Sequence, residues 1–231
     1  MKTAGIIGGI GPEATLDYYR SIVELYRERV RDDTYPSLVI DCVDLSKLVA
    51  WLGAGRLDEL TAFLNAEIRK LAAAGADFGL LAANTPHLVF DELAAASPIP
   101  LISIVEVACR AARARGLERL ALLGTRFTMQ GRFYADPFRA AGVELVVPSA
   151  AEQVFLHDKY MSELVPGVFL PETRQAFVAI VERLRNEERI DGVVLAGTEL
   201  PLLLREAEDP SLPFLDTTRL HVESVVERLL S

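Results

Sequence analysis

Short apolar runs alternate along this chain with longer stretches in which apolar positions recur at helical spacing. The runs predict strands at Ala4–Gly8, Ser37–Asp41, Phe78–Ala82, Leu101–Ser103, Arg119–Leu123, Glu144–Val147, Gly192–Leu195 and Phe214–Leu215. The 3.6-residue spacing predicts helices over Thr15–Arg31, Leu57–Ala74, Ile104–Ala114, Pro171–Asn186 and His221–Leu230. Strand and helix in alternation are the pattern of a parallel sheet flanked by helices, so the expected class is α/β.

A faint internal repeat divides the pattern in two. Asp77-Phe78-Gly79-Leu80-Leu81-Ala82-Ala83-Asn84-Thr85 can be laid over Asp191-Gly192-Val193-Val194-Leu195-Ala196-Gly197-Thr198-Glu199. Each copy runs from an acidic turn residue through an apolar strand to a small residue and then to polar side chains that open a helix. Ile6-Ile7-Gly8-Gly9 matches Leu122-Leu123-Gly124-Thr125 more loosely. Two pseudo-symmetric lobes follow, each a parallel sheet flanked by helices. In open parallel sheets a ligand sits beyond the carboxyl ends of the strands, where helix N-termini present free N–H groups. Gly8 to Glu13, Ala83 to Pro86, Gly124 to Arg126 and Gly197 to Glu199 all fall at such ends. Together they offer N–H and O–H donors suited to a small carboxylate.

Composition narrows the function. The 231 residues are 51% hydrophobic, enough for a substantial core, and the formal net charge is -9. No basic stripe accompanies it, so neither nucleic acid nor an anionic membrane surface is an expected partner; Arg110, Arg113 and Arg115 read as one solvated helix face. The first residues pass directly into an apolar strand, the wrong order for a signal peptide, and no apolar run is long enough to span a bilayer. Two distant cysteines and three scattered histidines provide neither a disulfide framework nor metal-ligand spacing. A cytoplasmic location is expected.

Individual residues carry two readings each. The loop Gly8-Gly9-Ile10-Gly11-Pro12 lacks the spacing of a dinucleotide fingerprint and any Walker lysine–serine pair; a tight turn competes with a ligand-facing loop, in which Gly9 would contact the ligand. Asn84-Thr85 and Thr198-Glu199 could simply cap helices. Their recurrence at equivalent points of two lobes favours substrate contact, and Thr125 and Thr128 have the same ambiguity. His87 and His157 are either polar packing residues or groups that titrate near neutrality, while His221 reads as structural. Cys109 reads as a packed helix residue, and Cys42 as a strand-end thiol able to approach the site.

Taken in order, the motifs resemble the aspartate/glutamate racemase family. The resemblance rests on Gly8-Gly9-Ile10-Gly11-Pro12-Glu13-Ala14-Thr15, Asn84-Thr85-Pro86-His87, Leu122 to Met129, Gly197-Thr198-Glu199-Leu200-Pro201-Leu202 and Leu215-Asp216-Thr217-Thr218. It implies two α/β lobes, residues 1–106 and 107–211, with 212–231 returning to the first, the site in the interlobe cleft, and a homodimer. It also implies no cofactor, neither pyridoxal phosphate nor metal. Two cysteines, one per lobe and on opposite faces of the substrate α-carbon, would remove and return the α-proton.

In the family pattern those cysteines stand immediately before Asn84 and Thr198. Here the positions hold Ala83 and Gly197, neither of which can carry a proton. A positioned base contributes ~10²–10⁴-fold, so the two-thiol reaction does not transfer to this chain unless other groups substitute. Cys42, His87, Glu13 and Glu199 are the candidate substitutes, whereas the binding set of Gly9, Asn84, Thr85, Thr125, Thr128 and Thr198 is retained. The leading expectation is a protein that binds a small amino or dicarboxylic acid. The alternatives are a decarboxylase or isomerase of a small carboxylic acid on the same scaffold, or a non-catalytic binder. Ala83→Cys together with Gly197→Cys is the expected route back to racemisation.

Overall fold

The computed structural model describes residues 2–204 and 211–231; residues 205–210, within the second lobe's expected span, lie outside the description. Among the described residues the chain forms two four-stranded, all-parallel sheets. The first takes β1 (Thr3–Gly8), β2 (Ser37–Cys42), β3 (Phe78–Leu81) and β4 (Leu101–Ile102) in the order β2-β1-β3-β4. The second takes β5 (Arg119–Gly124), β6 (Glu144–Val146), β7 (Gly192–Ala196) and β8 (Phe214–Asp216) in the order β6-β5-β7-β8. The order is the same in both, which is the faint sequence repeat made physical.

The repeat extends to single hydrogen bonds. Asp77 accepts the Thr3 N–H at 2.7 Å while its own N–H donates to the Thr3 carbonyl at 2.8 Å. Asp191 repeats this at Arg119, accepting the N–H at 3.1 Å and donating to the carbonyl at 2.8 Å. Gly79 N–H meets Pro100 O at 2.8 Å, and Val193 N–H meets Pro213 O at 3.0 Å. The acidic residue that opens each repeat therefore sets the register between the first and third strands of its sheet. That register carries the loops after β3 and β7 to equivalent places in their own units.

Helices cover both faces of each sheet, which is why the central strands are apolar without alternation. On the first sheet, α1 (Pro12–Val30) buries Tyr18, Ile22 and Tyr26 against Ala4, Ile6 and Phe78. The opposite face receives α2 (Leu45–Gly53), α3 (Leu57–Ala73) and α4 (Phe90–Ala96), whose Leu48, Leu64 and Leu93 pack with Ile7 and Leu81. On the second sheet, α5 (Ile104–Ala114) and α7 (Arg132–Ala140) cover one face. On the other, α8 (Ala150–Lys159) and α9 (Pro171–Glu188) pack with α10 (Leu200–Leu204), and the short α6 (Arg126–Gln130) follows β5.

The chain divides into a unit of residues 1–103 with 221–231 and a unit of residues 104–220. The expected boundary at 106/107 moves because Ile104 and Val105 already belong to the core packed on the second sheet. The return expected from Leu212 begins instead at His221. Phe214–Asp216 is paired with β7 as the edge of the second sheet, so the segment before α11 (Thr217–Leu230) is occupied there. Beyond it, Val222, Val225 and Leu229 pack into the core of the first unit. Among the described residues no helix is long and apolar enough to cross a membrane.

Candidate functional site

In the first unit the glycine loop is closed by its own helix. Thr15 Oγ1 accepts the Gly9 N–H at 2.8 Å and donates to the Gly11 carbonyl at 3.1 Å. Gly9 has φ 79°, and a Cβ there would lie 2.4 Å from the Val43 carbonyl oxygen. Glycine is therefore required by both backbone conformation and space. The same approach ties the end of β2 to the loop through Val43 N–H on Gly8 O at 3.0 Å. Cys42, the last residue of β2, is exposed, as is Glu13 in the first turn of α1.

Beyond β3, Ala83 and Asn84 are buried and lead into a 3-10 turn over Thr85–Val89. Asn84 makes no side-chain cap bond, so capping does not account for its presence. His87 is also buried; its Nδ1–H donates to the Ala83 carbonyl at 3.0 Å and its ring stacks on Phe90 with centroids 4.8 Å apart. Burial, with the charge of His221 adding to it, pulls the His87 pKa down to about 3. The imidazole is thus neutral over the ordinary pH range, and its N–H holds the loop that carries Ala83.

In the second unit Thr125 is the N-cap of α6, its Oγ1 accepting the Thr128 N–H at 3.3 Å and lying 3.2 Å from Thr128 Oγ1. Here capping does account for the residue. His157 accepts the Arg126 N–H at 3.3 Å through Nδ1, and burial, helped by the Arg126 charge, lowers its pKa. Its neighbour Lys159 is paired with Glu163.

The loop after β7 is built differently from its counterpart. Thr198 and Glu199 are 2% and 1% exposed. Thr198 Oγ1–H donates to Glu199 Oε2 at 2.9 Å, and the Tyr160 hydroxyl donates to the same oxygen. A Cβ built on Gly197 would lie 2.6 Å from Tyr160 Cε2 and 2.8 Å from its hydroxyl oxygen. The tyrosine ring thus occupies the space where a side chain of residue 197 would start, and the expected simple return of a thiol there meets an obstruction. Tyr160 opens a π-helical turn, Tyr160–Leu164, directly after α8. Such turns re-aim side chains and are frequent at functional sites. Nothing in the sequence singled out Tyr160, because no motif contains it.

A separate surface pocket of about 390 Å³ lies between the start of α9 and α10, lined by Phe169, Leu170, Pro171, Arg174, Pro201, Leu202 and Leu203. Pro201 and Leu202 come from the second-loop motif, but none of the candidate catalytic or binding residues lines it.

Two parallel α/β units of one topology, each presenting a polar loop beyond the strand equivalent to β3, define the class as a two-lobed α/β protein of the racemase type. The Asp/Glu/Hydantoin racemase family model matches residues 7–225, and the chain belongs to that family. It is 22% identical to the broad specificity amino-acid racemase of Bacillus subtilis (strain 168), over 98% of both chains. An aspartate racemase homologue from Pyrococcus horikoshii OT3 superimposes with a TM-score of 0.85 at 33% identity, covering 100% of both chains. Picrophilus torridus aspartate racemase shares the fold, with a TM-score of 0.76 at 20% identity over 99% of this chain and 94% of that one.

Proposed function

We propose that this protein binds a small amino or dicarboxylic acid through the loops beyond its strands and does not racemise it by a two-thiol mechanism. One observation carries the reading: buried polar side chains stand beside two positions that hold no acid–base atom. Asn84 follows Ala83, and Thr198 with Glu199 follows Gly197. Asn84 is not spent on helix capping. The proposed binding set is Gly9, Asn84, Thr85, Thr125, Thr128 and Thr198; Glu199 stands beside it without belonging to it. Relatives bearing racemase names support an amino acid as the ligand class.

The test is titration calorimetry with aspartate, glutamate, alanine, succinate, malonate and maleate. Binding of at least one, weakened at least ~10-fold by Asn84→Ala, is the expected result, since a buried hydrogen bond to a charged ligand contributes roughly 1.5–3 kcal/mol. If none of the six binds, the reading fails. A homodimer is the proposed assembly, on the resemblance, and sedimentation as a monomer would remove that part.

A further inference from the structure

We infer that Tyr160, with its hydroxyl held on Glu199, takes the place of a residue-197 side chain and serves as the second unit's proton-transfer group. This rests on the proposed binding of a small amino acid, and goes beyond it by naming the group that acts on the α-carbon. The geometry is the ground for it. The phenol oxygen lies 2.8 Å from where Cβ of residue 197 would be, in the region that a thiol at this position would reach. The ring lies over Gly197 rather than in the apolar core alone, and the π-helical turn starts at Tyr160 itself. Glu199, on the same loop, accepts both the phenol and the Thr198 hydroxyl on one oxygen, fixing the direction of the phenol O–H.

The step balances without any outside reagent. As the Cα–H bond breaks, its electron pair stays on the substrate, delocalised into the α-carboxyl group. The proton forms a bond to the phenol oxygen, and the proton already on that oxygen passes to Glu199 Oε2. One negative charge thus moves from Glu199 to the substrate, and Tyr160 is neutral before and after. The return step runs the same path backwards with a solvent-exchanged proton. Burial, with the Glu199 charge next, holds the Tyr160 pKa far above the usual phenol range. A free phenolate is therefore excluded as the base, and transfer through the pair is what remains to this tyrosine.

One acid–base group working from one side exchanges the α-proton but does not invert the centre. Exchange with retained configuration is the expected signature.

The experiment measures deuterium uptake at Cα of L- and D-aspartate, glutamate and alanine in D2O, with calorimetry on the same six. Wild type, Tyr160→Phe and Glu199→Gln are compared. Tyr160→Phe keeps the ring that fills the space over Gly197, and Glu199→Gln keeps an acceptor oxygen but cannot take the proton. Thermal melts check that both variants fold, and if one does not, the other decides. At least one acid is expected to bind and exchange in the wild type. Each variant should bind it within about threefold and lose at least ~10²-fold in exchange at saturation, the loss of a transition-state interaction rather than of binding. A bound acid that exchanges undiminished in the folded variants overturns the inference, as does one that binds wild type without exchanging. In both cases the binding proposal survives. If none of these six amino acids binds, the inference falls, and the binding proposal falls with it when succinate, malonate and maleate also fail to bind.

Discussion

The loops after β3 and β7 occupy equivalent places in sheets of identical strand order, yet they are held in opposite ways. In the first, a neutral imidazole anchors the backbone: His87 donates to the Ala83 carbonyl at 3.0 Å and is shielded by Phe90. In the second, an acidic side chain collects hydroxyl groups, with Tyr160 and Thr198 both donating to Glu199. Ala83 retains a Cβ, whereas at Gly197 the corresponding space is filled by a tyrosine ring. A duplicated framework has thus been filled with unlike chemistry. The two positions are inert for different reasons, one by residue type alone and the other by residue type and steric occupation.

Acid should strain the first unit most. His87 and His221 have pKa values lowered to about 3 and about 4, chiefly by burial. His221 is fixed in its neutral form, accepting from the Tyr18 hydroxyl at 2.8 Å and donating through Nε2–H to the Ile102 carbonyl at 3.0 Å. Both folded pKa values lie below the unfolded value of about 6.5, so the unfolded chain binds more protons between them. Stability is therefore complete above about pH 6.5 and falls as pH drops towards 4. For His221 the loss is on the order of 3 kcal/mol, from about 1.4 kcal/mol per pKa unit. Urea unfolding at successive pH values should show this fall, and His221→Gln should flatten it. An unchanged slope in that variant would place the acid sensitivity elsewhere.

A second contrast exchanges the two inert residues. Gly197→Ala forces a Cβ to within 2.6 Å of the Tyr160 ring and should destabilise by about 1–3 kcal/mol, as overpacking does. Ala83→Gly should cost about 0.5–1 kcal/mol through chain entropy. The larger penalty should shrink in a Tyr160→Leu background, where the ring is gone. Equal penalties at 83 and 197, or no relief in that background, would remove the steric half of the comparison. It follows that Ala83→Cys is the more promising route to a working thiol, and that Gly197→Cys requires prior removal of the tyrosine ring.

The smallest effect distinguishes capping from binding. Thr125→Ala removes the N-cap of α6 and should cost about 1 kcal/mol in unfolding free energy. Asn84→Ala removes no cap bond. Its main effect should appear in calorimetry with the six acids rather than in the unfolding midpoint, and a reversal of that order would contradict the roles assigned here.

The strands were legible because each is an apolar run short enough to cross a buried sheet, and all eight predicted runs coincide with strands to within a residue or so. Pairing was less legible. Phe214-Leu215 read correctly as a strand, but no local pattern says which sheet accepts its edge, so the return to the first unit was expected too early. Helix α2 was not predicted although Leu45, Leu48, Val49 and Leu52 follow helical spacing, because a nine-residue pattern is short for periodicity to stand out; its cap, Asp44 accepting from Ser46 N–H, was a second local signal. At the site, the small residues before Asn84 and Thr198 were legible through the motifs around them. Tyr160 was not, because its contact with Glu199 spans 39 residues and depends on a π-helical turn that leaves no compositional trace.

On the proposed function, this scaffold binds an amino acid but lacks the means to invert it by two thiols. This is tested most directly by incubating each enantiomer of aspartate, glutamate and alanine with the protein in D2O, then measuring deuterium at Cα and enantiomeric composition in the same sample. Deuterium uptake without loss of configuration is expected for at least one acid, with the uptake lowered at least ~10²-fold by Tyr160→Phe. Formation of the opposite enantiomer as fast as deuterium enters would contradict that expectation, because inversion requires a second acid–base group.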